Sequence, residues 1–348
     1  MTPKSDIRAE ADRLRAFFEA RGAVVFEANI LQPAGTLLDL YGEDIRARAF
    51  VTHDPLRGEM MLRPDFTVPL VQAHVASGGR AARYTYAGEV FRRQEEDDTR
   101  PAEYIQVGFE VFGGDRDAAD AEVFTAIAEA LSGLDVQAVI GDIGISYAAI
   151  TGLPTSDRRI AALLRHLQQP QRFPALLDRF SKTLPPPPAF DRTIPLVGLR
   201  TEEDIRERLA VLEEESRVDP LDPTQIERLE AIMGVAAPAP EAVERLKLLD
   251  EGSGTIREAV RRLERRLAAL AAAGVDVERL RFETTYLRTQ LAYYGGFVFG
   301  FTGGDELPPV ATGGRYDTLT AVLGEGANLP AVGGVIRADV VHALRRAG

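Results

Sequence analysis

Two runs rich in apolar, β-branched and aromatic residues, Ala82–Phe91 and Tyr104–Phe112, flank a segment that is almost wholly charged, RRQEEDDTRPAE. Each run has the composition of a strand and the charged segment belongs to neither, so the pair reads as two strands joined by a long loop. A chain built on such a pair has to be built on a sheet. Loops of this length between paired strands are uncommon in a compact domain and usually functional, so Arg93–Glu103 is expected to close over a ligand. The unit extends from Met61 to Gly114, with an RPxxT turn (Arg63–Thr67) before the pair and GFEVFG at its end.

The flanking sequence supplies the rest of a mixed fold. A helix is expected over Ser5–Arg21, capped by Ser5 and Asp6, with Ile7, Ala11, Leu14, Phe17 and Phe18 at helical spacing. Short strands follow at Val24–Glu27, Phe50–His53 and Glu59–Leu62. Leu37, Leu38 and Leu40 suggest a short helix, and Val68–Ala76 a longer one. Asp117–Leu131 reads as a capped amphipathic helix and Val136–Ile143 as a strand. From about Ser146 to Val275 the pattern is helical and punctuated by proline; LPPPPAF (Leu184–Phe190) is a rigid connector. The last helix of this stretch, Thr255–Ala273, carries Ile256, Val260, Leu263, Leu267 and Leu270 on one face and Arg and Glu on the other. Strand signals return at Leu280–Tyr286, Phe297–Thr302 and Val332–Ile336, separated by glycine turns GG, TGG and GG. The expected class is α+β: one antiparallel sheet of about six strands flanked by helices, with a helical insertion at about 146–275 in a single domain spanning 1–348.

Composition excludes several functions. A formal charge of -12 argues against a partner bound through nucleic-acid phosphates, which needs a field of Lys and Arg on one face. Cysteine is absent, and the histidines His53, His74, His166 and His342 are scattered without zinc spacing, so no metal site is readable and no cofactor is implied. The N-terminal residues lack an apolar leader and no run of about 18 apolar residues occurs. A cytoplasmic protein without membrane contact is expected.

Six segments then occur in order across the chain: RPDFT (Arg63–Thr67), GEVFR (Gly88–Arg92), IQVGFEVFG (Ile105–Gly113), LAYYGGFVFGF (Leu291–Phe301), GGRYDTL (Gly313–Leu319) and PAVGG (Pro330–Gly334). Together they resemble the catalytic domain of histidyl-tRNA synthetase, a class II aminoacyl-tRNA synthetase. The resemblance implies a class II synthetase-like fold and a histidine pocket. Asp65 and Thr67 match the groups that hold the α-amino group, Asp65 being one methylene shorter than the family's usual Glu. Gln106 and Glu110 match acceptors on the second strand, and Tyr293 and Tyr294 the pair enclosing the imidazole. The chemistry agrees, since an ammonium needs carboxylate and hydroxyl acceptors and an imidazole needs one donor and one acceptor between aromatic walls. Taken singly, Glu110 is a solvent-facing charge and the tyrosines are core aromatics; the ordered matches reverse that balance.

The resemblance fails on the phosphate side. Arg92 matches the motif-2 arginine and Arg100 a loop arginine, both read here as a possible anion-binding remnant. In synthetases RGLD precedes the tyrosine pair, whereas this chain has Thr289-Gln290-Leu291-Ala292, with Arg288 one position off. The arginine of the third motif falls on Val340, with Arg337 nearby. Each preorganised cation contributes ~10²–10³ in rate to such chemistry, so no catalytic residue is assigned. The chain stops at Gly348, without the anticodon-binding domain of synthetases, so tRNA is not an expected partner. A kept histidine pocket beside a broken phosphate site resembles the family of ATP phosphoribosyltransferase regulatory subunits. That resemblance implies a non-catalytic histidine-binding protein that joins the short-form catalytic subunit in a hetero-octamer, is needed for its activity and mediates feedback inhibition. It also implies a homodimer through the first-motif region, about Ala28–Leu40 around Pro33. The alternative is an active histidine-activating ligase or truncated histidyl-tRNA synthetase in which Arg337 and Arg288 replace the lost cations.

Overall fold

The two long strands pair over their whole length and form the spine of the main sheet. The computed structural model describes all residues except 1–2, 36–47, 94–100, 170, 192–199, 251, 287–292, 305–306, 325, 327–328 and 348. The main sheet runs in the order β1 (Val24–Val25), β5 (Ala82–Phe91), β6 (Glu103–Phe112), β12 (Ala331–Arg337), β11 (Ala311–Arg315), β10 (Phe297–Thr302), β7 (Gln137–Asp142), β9 (Arg281–Glu283) and β8 (Ala236–Pro238). Its centre, from β5 to β7, is six antiparallel strands, the expected number, but with β11 in place of the expected Leu280–Tyr286. β1 joins one edge in parallel, and β9 lies parallel to β7 at the other. A second sheet of three strands orders β2 (Leu31–Pro33), β4 (Gly58–Leu62) and β3 (Val51–Asp54).

Three expectations need correction. Of the glycine segments read as turns, Thr302–Gly304 does end β10, but Thr312–Gly314 is the middle of β11, because its glycines let this strand pass under bulky neighbours: a Cβ on Gly313 would lie 2.3 Å from the Phe299 ring. Leu280–Tyr286 shrinks to three strand residues and pairs parallel to β7 rather than antiparallel. The first helix, α1 (Lys4–Glu19), starts before Ser5 and Asp6; Pro3 occupies the cap position and no side chain caps it. The short helix read from Leu37, Leu38 and Leu40 lies outside the described residues.

The sheet separates two environments. Residues paired across antiparallel strands share a face, so Tyr84, Glu110, Gly333, Gly314, Val298 and Gly141 form one transverse row. Helix α2 (Thr67–Ala76) covers this face, with His74 stacked 4.1 Å from the Phe112 ring. The opposite face is phenylalanine-rich. Phe124 of α3 (Arg116–Ala130) packs on Phe297, Phe299 and Phe301, and Phe18 of α1 stacks on Phe109.

Between β7 and β9 come α4 (Ile143–Thr151), α5 (Asp157–His166), α6 (Arg172–Phe180), α7 (Glu202–Ser216), α8 (Pro223–Met233), α9 (Ala239–Leu249) and α10 (Arg257–Ala272). Leu184–Phe190 adopts no regular structure. Helices α11 (Asp317–Leu323) and α12 (Ala338–Ala347) complete the chain. Among the described residues no helix is long and apolar enough to cross a membrane.

Helix α10 buries Val260, Leu263, Leu267 and Leu270 as its periodicity requires, but it also buries Arg266, which the pattern assigns to solvent. Arg266 donates to Asp120 (2.8 Å) and Asp142 (2.7 Å), and Arg315 donates to the other oxygen of Asp120 (2.6 Å) and to Asp317 (2.9 Å). Burial works against the charge of Arg266, but the Asp142 and Asp120 carboxylates outweigh it and raise its hold on the proton. This cluster locks α3, α10 and the ends of β7 and β11 together. Asp120→Ala leaves two buried guanidiniums short of a counter-ion, and urea unfolding is expected to show a loss of about 3–5 kcal/mol. A loss below about 1 kcal/mol, the range of exposed pairs, would show that the cluster is not a lock.

Candidate functional site

The RPDFT turn is held by two arginines of different origin. Arg63 lies over the Phe66 ring at 4.0 Å and donates to the carbonyls of Glu89 (2.7 Å) and Ala28, which fastens the turn to β5. Arg92, just past the end of β5, donates from Nε to the Pro64 carbonyl at 2.7 Å. The turn thereby fixes Asp65 and Thr67 at the start of α2, both buried. Gln106 and Glu110, four residues apart on β6, project to the same face.

These residues converge on one pocket. Asp65, Thr67, Arg92, Gln106, Glu110, Tyr293 and Tyr294 all line it, together with Tyr316, Gly333, Gly334 and Val335. Arg100, Arg288, the Thr289–Ala292 segment and most of the charged loop lie outside the described residues.

Glu110 is the centre of the pocket and is 1% exposed. Its Oε1 accepts from the hydroxyls of Tyr86 (2.8 Å) and Thr67 (3.3 Å), and its Oε2 from Tyr316 (2.7 Å). Two glycines make room for this. A Cβ on Gly333 would fall 1.4 Å from Glu110 Oε2, and one on Gly108 would fall 2.0 Å from the Tyr86 ring. Burial pushes the Glu110 carboxyl up to about 7; the Tyr316, Tyr86 and Thr67 hydroxyls oppose that rise and the Asp65 carboxylate adds to it. Burial likewise raises the phenols of Tyr86, Tyr293 and Tyr316 well above the ordinary range, so they stay neutral donors.

Asp65 is the second buried carboxylate of the pocket. Its Oδ2 lies 3.8 Å from the Arg92 guanidinium and accepts from the Tyr293 hydroxyl at 3.5 Å. Tyr293 and Tyr294 meet edge to face with ring centroids 5.1 Å apart. Gln106 is buried and its Oε1 has no hydrogen-bond partner among the described residues. Two carboxylates, one guanidinium and an unsatisfied amide oxygen favour a ligand rich in N–H donors. The remaining space, about 10 Å³ for the centre of a water molecule, holds about one water.

On the phosphate side, Val340 is buried in the core at 4% exposed. Arg337 pairs across the sheet with Gln106, on the pocket's face, but its guanidinium lies 3.9 Å over the Tyr104 ring and 2.8 Å from Asp339. It does not line the pocket. Two residues of the site are missed from sequence: Tyr316, which lines the pocket, and Tyr86, which lies behind it and donates to Glu110. Tyr316 stands in a motif otherwise read as a turn, while Tyr86 shares the face of Tyr84 by simple alternation.

Glu110 has a pH signature. Its folded value of about 7 lies above the 4.5 of a free glutamate, so between the two the folded state holds the extra proton. Its contribution is full below about pH 4.5 and is lost as pH rises through about 7, amounting to about 3 kcal/mol. Unfolding of the unliganded protein between about pH 5 and pH 8 is expected to show this decline, and Glu110→Gln to flatten it. An identical slope in the variant would assign the decline to other groups.

A family model described as histidyl-tRNA synthetase matches residues 5–341. The ATP phosphoribosyltransferase regulatory subunit of Mesorhizobium japonicum is 31% identical, covering 97% of this chain and 98% of its own. That of Allorhizobium ampelinum is 30% identical, covering 94% and 95%. A solved ATP phosphoribosyltransferase regulatory subunit/histidyl-tRNA synthetase from Bacillus halodurans superposes with a TM-score of 0.71 at 21% identity, over 99% of this chain and 80% of that one, and so shares the fold. The synthetase-like sheet, the family match along nearly the whole chain and these relatives place the protein plainly: it belongs to the ATP phosphoribosyltransferase regulatory subunit family.

Proposed function

We propose that the protein binds free histidine in this pocket and conveys its presence as feedback inhibition to a short-form ATP phosphoribosyltransferase catalytic subunit, in the cytoplasm and in histidine biosynthesis. The observation that carries this reading is the convergence of Asp65, Thr67, Gln106, Glu110, Tyr293 and Tyr294 on one pocket. Asp65 and Gln106 Oε1 receive the α-ammonium, Glu110 and its ring of hydroxyls meet the imidazole, and the tyrosines shield the ring. Arg92 beside Asp65 suits the α-carboxylate. Activation of the amino acid is not part of the function, because the buried Val340 and the engaged Arg337 leave the phosphate side without those cations.

Histidine needs more room than one water, so its entry requires Tyr293 and Tyr294 to part from the opposite wall. That difference between empty and filled states is what linkage requires, since histidine shifts activity only by binding the inhibited assembly more tightly. A homodimer through Ala28–Leu40 is supported by the exposed apolar residues Val24, Val25, Ile30, Leu31, Phe50 and Val51, which gather around that segment. A hetero-octamer with the catalytic subunit, without tRNA, completes the proposal.

Co-purification with a short-form catalytic subunit tests it. Catalysis is expected to require this chain and to fall when histidine is added, and Glu110→Gln is expected to weaken histidine about tenfold or more while leaving activation intact. An unchanged histidine response in the variant would remove the pocket from the mechanism. ATP–pyrophosphate exchange with histidine is expected to be absent; robust turnover would instead favour an active ligase.

A further inference from the structure

A second and larger cavity lies behind the pocket. It has a volume of about 610 Å³, within the range of small-molecule sites, and opens between the start of α3 and helix α10. Its walls carry Arg116, Arg262, Arg265, Arg266 and Arg315 against four aspartates. Arg315 and Asp142 pair with Val332 and Phe297, on the sheet face opposite Glu110, so the two cavities sit back to back.

The charges here are unequally satisfied. Asp115 caps α3 through the Ala118 N–H, and Asp117 accepts from Arg265. Asp142 holds the Gly144 N–H and Arg266, while Asp317 holds Arg315, the Ala331 N–H and Arg116. Arg266 and Arg315 are further saturated by Asp120 beneath the wall. Arg262 is half-buried and forms no hydrogen bond or ion pair with any described residue. Among the described wall residues Arg262 is therefore the one arginine without an anionic partner, Asp115 holding only a backbone N–H, and Thr318, Gly295 and Gly296 line the same cavity.

The two cavities also share their partitions. Tyr293 and Tyr294 line the pocket while Gly295 and Gly296 line the cavity; Arg315, Asp317 and Thr318 line the cavity while Tyr316 between them lines the pocket and holds Glu110. The Gly295 N–H donates to the Arg315 carbonyl at 3.1 Å, joining one partition to the other. We propose that this cavity is a second ligand site, taking the oxyanion of a small phosphorylated or carboxylated metabolite on Arg262, and that its occupancy alters the histidine pocket through Gly295 and Tyr316. The coupling, though not the binding, rests on the histidine reading above.

Calorimetry on the full chain tests both parts, with inorganic pyrophosphate and citrate as probes that separate phosphate from carboxylate recognition. Saturable binding of one of them is expected, weakened about tenfold or more in Arg262→Gln, a charge-assisted contact having been removed. Arg262 has no partner to lose among the described residues, so the variant is expected to fold with an unchanged melting temperature and unchanged histidine affinity in the absence of probe. Histidine affinity is expected to change when the probe is saturating, with a reciprocal change in probe affinity. No binding at millimolar probe, or equal binding to Arg262→Gln, overturns the site. Probe binding with no effect on histidine affinity overturns the coupling, and probe binding in a protein that does not bind histidine overturns the coupling together with the histidine reading while leaving the site standing.

Discussion

A carboxylate buried without a cation in direct contact is the constraint around which this molecule is arranged. Glu110 receives hydroxyls from β5, from the start of α2 and from the segment between β11 and α11, so four parts of the chain meet at two oxygen atoms. Removing a carboxylate from water is expensive, and neutral donors recover only part of that cost. The remainder appears as a raised proton affinity near neutral pH. A ligand that brings N–H donors to this place relieves the deficit, which makes the site responsive by construction.

The other face of the sheet solves the opposite problem. There the phenylalanines of β10 pack on α3, and the Asp120, Arg266 and Arg315 cluster gives each of its buried charges a counter-ion. The Asp120 cluster on this face is thus saturated, while the pocket on the other is underfilled. Tyr316 and Arg315, adjacent in sequence, stand on opposite sides of that division, so displacement of either residue is felt by both. Energetic coupling needs such a contiguous element with two environments.

Membership of a regulatory subunit family accords with a synthetase-like sheet that holds acceptors and aromatic walls but lacks an arginine at the third-motif position. Amino-acid recognition depends on acceptors and aromatic walls, which the pocket holds. Phosphoryl-type chemistry depends on cations aimed at developing charge. At the two positions that can be inspected, a valine is packed in the core and an arginine is turned to Asp339 and Tyr104.

Much of this was legible in the residues themselves. The long hairpin, the α1 and α3 periodicities, five of the six central antiparallel strands and six of the pocket-lining side chains follow from pattern and motif, because strand and helix periods are local properties. What the sequence could not reveal is long-range. TGG looks like a turn until the Phe299 ring that crosses Gly313 is known, and Arg266 looks solvent-facing until Asp120 and Asp142 are found beside it. Tyr86 and Tyr316 reach Glu110 only because Gly108 and Gly333, on other strands, leave space for the Tyr86 ring and the Glu110 carboxylate. The sequence by itself determined the class of fold and the chemistry the pocket can offer. Only the tertiary structure decided which charges are satisfied and which are left for a ligand, because burial and counter-ions are set by residues far apart in the chain.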